Sequence, residues 1–199
     1  GETRIYRPRR GHRRASNRTD RMAAGTAVRQ TLSANRQRVF FALWPDARAR
    51  ADLAQAALRM QRAAHGRCTQ EGSMHLTLVF LGEVDEQIMP CLLAPPRSVF
   101  TSAFLLALDH WGCWAHSGIG WTAPSHIPEA MRDLAANLGG WLRSQGFELE
   151  RRAFTPHITL IRKARCTPLP DAMTPVVWQV NECALIRSQL APGGSRYQV

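Results

Sequence analysis

Lysine is almost absent from this 199-residue chain. Lys163 is the only one among 26 basic residues, a skew ascribed to genomic base composition and carrying no functional inference. No apolar run is long enough to span a bilayer; the longest, around Val39 to Trp44, Met74 to Leu81 and Ala103 to Leu108, have the length of strands. No C-x-x-C pair occurs among the five cysteines and no secretory apolar segment precedes them. Cysteines 68, 91, 113, 166 and 183 are therefore expected to be reduced packing residues of a cytoplasmic protein. The chain has no Gly-rich phosphate loop and no dinucleotide fingerprint, which sets aside chemistry driven by a nucleoside triphosphate. His110, Cys113 and His116 have metal-ligand types at close spacing, but with no fourth ligand nearby they are not counted as a metal site.

The formal charge of +11 looks like a nucleic-acid signature, yet it is unevenly placed. Residues 1–36 hold ten arginines against Glu2 and Asp20. The remainder is only mildly basic. The first segment has no apolar period and few aromatics, so it is expected to be disordered, either as an RNA-binding arm or as sequence upstream of a start at Met22. Residues 37–199, with a chain-wide apolar content of 45%, are expected to form the folded domain.

Inside this domain a pair of stretches stands out. Met74-His75-Leu76-Thr77-Leu78-Val79-Phe80 recurs as Pro156-His157-Ile158-Thr159-Leu160-Ile161. Both read as strands with period-two alternation, which places His75 with Thr77, and His157 with Thr159, on one face. Each is preceded by the same succession of elements. Pro45-Asp46 opens a helix marked by Ala49, Leu53, Ala56, Ala57 and Met60 and stopped by Gly66; Pro128-Glu129 opens another marked by Met131, Leu134, Leu138 and Leu142 and stopped by Gly146. The spacing from proline to histidine is nearly the same in the two halves. This internal repeat predicts a duplicated α+β fold of two lobes related by a pseudo-twofold axis, each with an antiparallel sheet and a helix, and a cleft between them.

Other segments are read locally. Phe104 to Asp109 is expected as a strand paired with Ile119 to Ala123 across a turn at Trp111 to Ser117. Phe147 to Glu150 is expected as a short strand, and Val176 to Val180 with Ala184 to Ser188 as a strand pair. Asp85 to Ser98, broken by Pro90, Pro95 and Pro96, is expected to be irregular.

Two imidazoles facing one cleft can divide a hydrolysis. One neutral ring takes a proton from water while the other, protonated, gives one to the leaving oxygen. Two threonine hydroxyls beside them can donate hydrogen bonds to an anionic centre, and phosphate suits such a site better than an ester carbonyl does.

The paired H-x-T motifs, together with Phe154-Thr155-Pro156-His157-Ile158-Thr159-Leu160-Ile161-Arg162, Arg38 to Pro45, Gly82-Glu83-Val84, Ser188-Gln189-Leu190 and Tyr197, resemble the 2H phosphoesterase superfamily. The resemblance is to its bacterial 2′-5′ RNA ligase branch and covers residues 38–199. It implies a bilobal α+β fold and hydrolysis of RNA 2′,3′-cyclic phosphate ends to 2′-phosphomonoesters, with reversible 2′-5′ joining of tRNA halves. It implies no metal and no cofactor. In that pattern His75 is the proton donor, His157 the proton acceptor, and Thr77 and Thr159 hold phosphate oxygens. Arg162 is either a phosphate or ribose contact or a solvated surface residue. Phe40, Phe41 and Trp121 are either base-stacking rings or core. The partner expected is RNA with 2′,3′-cyclic phosphate ends, acted on by a cytoplasmic monomer without membrane contact. The alternative is a module that binds RNA ends or nucleotide phosphates without turnover.

Overall fold

The computed structural model describes residues 35–150, 152–167, 169, 172–191 and 194–198. Val39, Phe41 and Leu43 alternate with Phe40 and Ala42, and both sets are buried, so this run forms β1 (Arg36–Leu43) well inside a sheet. Pro45 follows, and the Asp46 carboxylate accepts a hydrogen bond from the Ala49 N–H at 2.8 Å, which caps α1 (Ala47–Ala64). Next come β2 (Arg67–Cys68), β3 (Leu76–Asp85), the single turn α2 (Met89–Leu92), β4 (Phe104–Leu108), β5 (His110–Trp114) and β6 (Ile119–Ala123). Then follow α3 (Glu129–Ser144), β7 (Ile158–Arg162), β8 (Val176–Val180), β9 (Ala184–Ala191) and β10 (Gly194–Gln198).

Seven strands run side by side in the order β10-β9-β1-β3-β7-β6-β5, with β2 added alongside β7, and β4 pairs with β8 in a separate ribbon. All neighbours are antiparallel. The two halves meet where Leu76 of β3 faces Ile158 of β7, so the lobes are joined through one continuous sheet. The helices are exchanged across that junction: α1 packs on β7 and α3 on β3. Trp141 of α3 reaches Phe41 edge-on, with ring centroids 6.3 Å apart. One large cluster containing Leu43, Leu53, Met60, Leu76, Met131, Leu138 and Ile158 fills the space beneath the sheet. The opposite face is left for the H-x-T side chains.

The α+β class and the two repeated units are as expected, but several local pairings differ. Trp111 to Trp114 is strand and not turn, and β5 is the partner of β6. The partner of β4 is β8, and β9 pairs with β1. In each case a long-range partner displaces the sequence neighbour, because the apolar pattern defines a strand's faces without naming its edges. Residues 147–150 form no strand. The expectation of reduced cysteines is corrected for one pair: Cys113 of β5 is disulfide-bonded to Cys166 beyond β7, with Cα atoms 5.3 Å apart. Their separation of 53 residues hides the pairing from a reading of local spacing. Cys68, Cys91 and Cys183 are free. Of the Arg-rich segment, residues 1–34 lie outside the described residues. Arg36 already belongs to β1, opposite Asp85, and Asn35 hydrogen-bonds Glu86.

Candidate active site

Each H-x-T histidine immediately precedes its strand, and the same clamp holds each ring. The His75 Nδ1–H donates to the Ser73 carbonyl at 2.8 Å, and the His157 Nδ1–H donates to the Thr155 carbonyl at 2.8 Å. A carbonyl oxygen only accepts, so each neutral ring carries its proton on Nδ1 and leaves Nε2 as the atom for acid or base work. Both histidines line one cavity of about 500 Å³ together with Thr77, Thr159 and Arg162. With Leu76 opposite Ile158 in antiparallel register, His75 is carried toward Thr159 and Thr77 toward His157. The two histidines are then diagonal neighbours, about 7–8 Å apart between Cα positions in such a lattice, which leaves room for one phosphate between the ring tips.

Arg162 reaches the cavity by a backbone irregularity. Strict alternation from His157 and Thr159 would put Ile161 on the cavity face and Arg162 in the core. The ladder between β6 and β7 instead runs from Trp121 opposite Thr159 to Gly120 opposite Ile161, so Leu160 is an extra residue. This bulge turns Leu160 and Ile161 both into the core and returns Arg162 to the cavity side. Strand β3 repeats the device: Ala42 faces Thr77 and Phe41 faces Val79, which leaves Leu78 as the extra residue.

The remaining walls were not singled out from sequence. β2 pairs Arg67 with Arg162, and Arg67, Thr69, Gln70, Ser73, Ile119 and Tyr197 complete the lining. The lining includes two arginines and no carboxylate, so the cavity attracts anions. Gly66 has φ of +88° and packs against the backbone after β7; a Cβ there would lie 2.6 Å from the Arg162 carbonyl oxygen. Only a glycine lets the α1–β2 turn close on that strand. Trp44 and Tyr197 carry a weak sequence signal at best, because the chain ends that bring them to His75 are far apart in sequence.

The two histidines differ in surroundings. Around His75 stand Phe40, with ring centroids 4.8 Å away, Tyr197 edge-on at 4.8 Å, and Trp44 stacked in parallel at 5.7 Å. Burial among these rings lowers the His75 pKa to about 4, with the Arg162 and His157 charges acting in the same direction and the Ser73 carbonyl opposing. His157 is approached edge-on by Trp114 at 4.6 Å. Phe40 and Trp121 are thus ring contacts near the site, while Phe41 belongs to the core.

An α+β sheet that presents two clamped imidazoles, two threonines and arginine to one anion-attracting cavity defines a phosphoesterase of the two-histidine class. Residues 43–121 match the family model described as LigT like Phosphoesterase. The RNA 2′,3′-cyclic phosphodiesterase of Escherichia coli (strain K12) is 32% identical over 167 residues, 81% of this chain and 92% of that protein. The protein of the same name from Thermus thermophilus is 29% identical over 172 residues, 81% of this chain and 87% of its own. The crystal structure of E. coli LigT complexed with 3′-AMP superposes with a TM-score of 0.71 at 30% identity, covering 82% of this chain and 95% of that one. The chain belongs to the LigT-like phosphoesterase family.

Proposed function

We propose that this protein is an RNA 2′,3′-cyclic phosphodiesterase that opens the cyclic phosphate at an RNA 3′ end to a 2′-phosphomonoester. The reading rests on one observation above others: two imidazoles, each with Nδ1 tied to a backbone carbonyl, turn Nε2 toward a single cavity that is lined by cations and hydroxyls. Its family relatives bear that activity in their names.

In this mechanism His157 Nε2 takes a proton from water as the oxygen attacks phosphorus in line with the 3′ oxygen. His75 gives its Nε2 proton to that oxygen as the P–O3′ bond breaks, leaving a 3′-hydroxyl and a 2′-phosphate. Thr77, Thr159 and Arg162 hold the non-bridging oxygens, whose charge grows in the transition state. Burial among the aromatic rings by itself keeps His75 neutral, the reverse of what a donor needs. The anionic phosphate supplies the correction: placed between the rings, it opposes the Arg162 and His157 charges and favours a proton on the pair. The ring protonation needed for catalysis is therefore acquired with the substrate. The natural partner is RNA or a short nucleotide ending in a 2′,3′-cyclic phosphate, acted on by a cytoplasmic monomer that uses no metal. Joining of tRNA halves through a 2′-5′ linkage is the same chemistry run backward.

The test is hydrolysis of a nucleoside 2′,3′-cyclic phosphate in EDTA. Formation of the 2′-phosphate by the native chain, lost in His75→Ala and His157→Ala, is expected. Tight binding of the nucleotide with no product from the intact chain would replace this reading with that of a binding module.

A further inference from the structure

Behind His157 lies a second concavity of about 190 Å³, lined by His110, Trp114, Trp121, Phe154, Pro156 and His157 among others. His157 is thus the wall shared by this cleft and the catalytic cavity. The two spaces differ in chemistry. The catalytic cavity is lined by arginines, hydroxyls and an amide, whereas the cleft is lined mainly by aromatic rings and prolines and has no charged side chain other than its histidines. Trp114 and Trp121 pack against each other with centroids 5.5 Å apart, and Trp121 lies across Gly112, where any Cβ would strike its ring. The aromatic wall is therefore held in place before a ligand arrives. The indole N–H of Trp121 is buried and has no hydrogen-bond partner among the described residues, so a donor remains available in that wall.

The pseudo-symmetric flank of the site does not offer this space. There the rings of Phe40, Trp44 and Tyr197 close directly around His75. We propose that the aromatic cleft behind His157 receives the nucleobase of the nucleoside whose cyclic phosphate lies between the two histidines, an assignment that rests on the phosphodiesterase reading above. A flat, apolar-faced ring with polar edges suits a wall of indole and phenyl rings rimmed by the exposed His110 and the Thr155 hydroxyl. The base is joined to the same ribose that carries the phosphate, within reach of a cleft one imidazole away. The base of the preceding nucleotide is separated by another phosphodiester and would overshoot it. The cleft then makes the substrate a nucleoside cyclic phosphate and disfavours a bare sugar cyclic phosphate.

The experiment compares kcat/KM of the full chain for uridine and adenosine 2′,3′-cyclic phosphates with that for methyl riboside 2,3-cyclic phosphate, which has no base. Native protein is expected to prefer the base-bearing substrates by about tenfold to a hundredfold, expressed in KM, as stacking of one base on an aromatic wall provides. Trp121→Ala and, as a second variant, Phe154→Ala should shrink that ratio, and Trp121→Phe should restore most of it. A merely structural loss would lower both substrates together and leave the ratio intact, which would overturn the proposal. If no cyclic phosphate is turned over by any form, the phosphodiesterase reading fails and the cleft is judged by tryptophan-fluorescence titration with 3′-nucleotides and with ribose 3-phosphate. Tighter binding of the nucleotide that Trp121→Ala abolishes supports the cleft; equal affinity for the two ligands rejects it.

Discussion

Phe80 and Arg162 stand at equivalent places in the two halves of the sheet, each the fifth residue after its histidine and each returned to the cavity side by a one-residue bulge. The same backbone thus presents a cation in one half and a ring in the other. Phe80 stacks toward Phe40 at 6.4 Å and lies under the Arg38 guanidinium at 4.9 Å, outside the cavity lining that Arg162 joins. The pseudo-symmetry of the fold is broken at this pair, and with it the symmetry of charge around the phosphate.

Arg162→Ala should lower kcat/KM by roughly a hundredfold, since a charge-assisted contact to a developing oxyanion contributes about 2–4 kcal/mol. Arg162→Lys should recover only a fraction, because an ammonium keeps the charge but loses the fork that grips two oxygens. Phe80→Ala, on the matching position, should change kcat/KM far less. Steady-state kinetics on a nucleoside 2′,3′-cyclic phosphate checks the ranking; equal losses at the two positions would remove Arg162 from the site.

The donor and acceptor roles are separable by leaving group. A 3′-thio analogue of the cyclic phosphate expels a thiolate that needs little protonation, so it should rescue His75→Ala by a large factor and leave His157→Ala impaired. Rescue of His157→Ala instead would exchange the two roles.

His75 also links pH to stability. Its pKa falls from 6.5 to about 4 on folding, so between those values the unfolded chain binds a proton that the native site refuses. Stability should therefore fall as pH drops through that window, by at most about 3 kcal/mol from this group and less to the extent that water reaches the half-buried ring. Urea melts at pH 7 and pH 4.5 should show a smaller difference in His75→Gln than in the native chain. Inorganic phosphate binding near pH 6, measured calorimetrically in buffers of different ionisation enthalpy, should take up protons; a heat independent of buffer would contradict the coupling.

The Cys113–Cys166 bridge ties the strand that carries Trp114 to the segment leaving β7. Closing a loop of 53 residues restricts the unfolded chain by about 4 kcal/mol in the chain-entropy account. Cys113→Ser should lower unfolding free energy by about 2–4 kcal/mol under non-reducing conditions, and dithiothreitol should erase the difference from the native protein. An unchanged stability in both conditions would show that the bridge does not constrain the chain in solution.

What the sequence by itself determined is local and repetitive. The alternation around His75 and His157, the Asp46 cap, the buried face of α1 and the duplicated spacing all depend on neighbours within a few residues, so the α+β class, the two halves and the H-x-T pairs were legible. Tertiary structure decided which edges meet. β4 chose β8 over β6, each helix crossed to the other half, and Cys113 found Cys166, because pairing partners are selected by packing across the whole core and leave no mark in a local pattern. It also decided the chemistry at Arg162. By period two that side chain belongs inside the core, and a single extra residue at Leu160, visible only against the facing strand, turns it to the phosphate cavity. The opening stretch around His75 foretold an imidazole, and only the rings of Phe40, Trp44 and Tyr197, gathered from distant regions of the chain, set its proton affinity apart from that of an ordinary histidine.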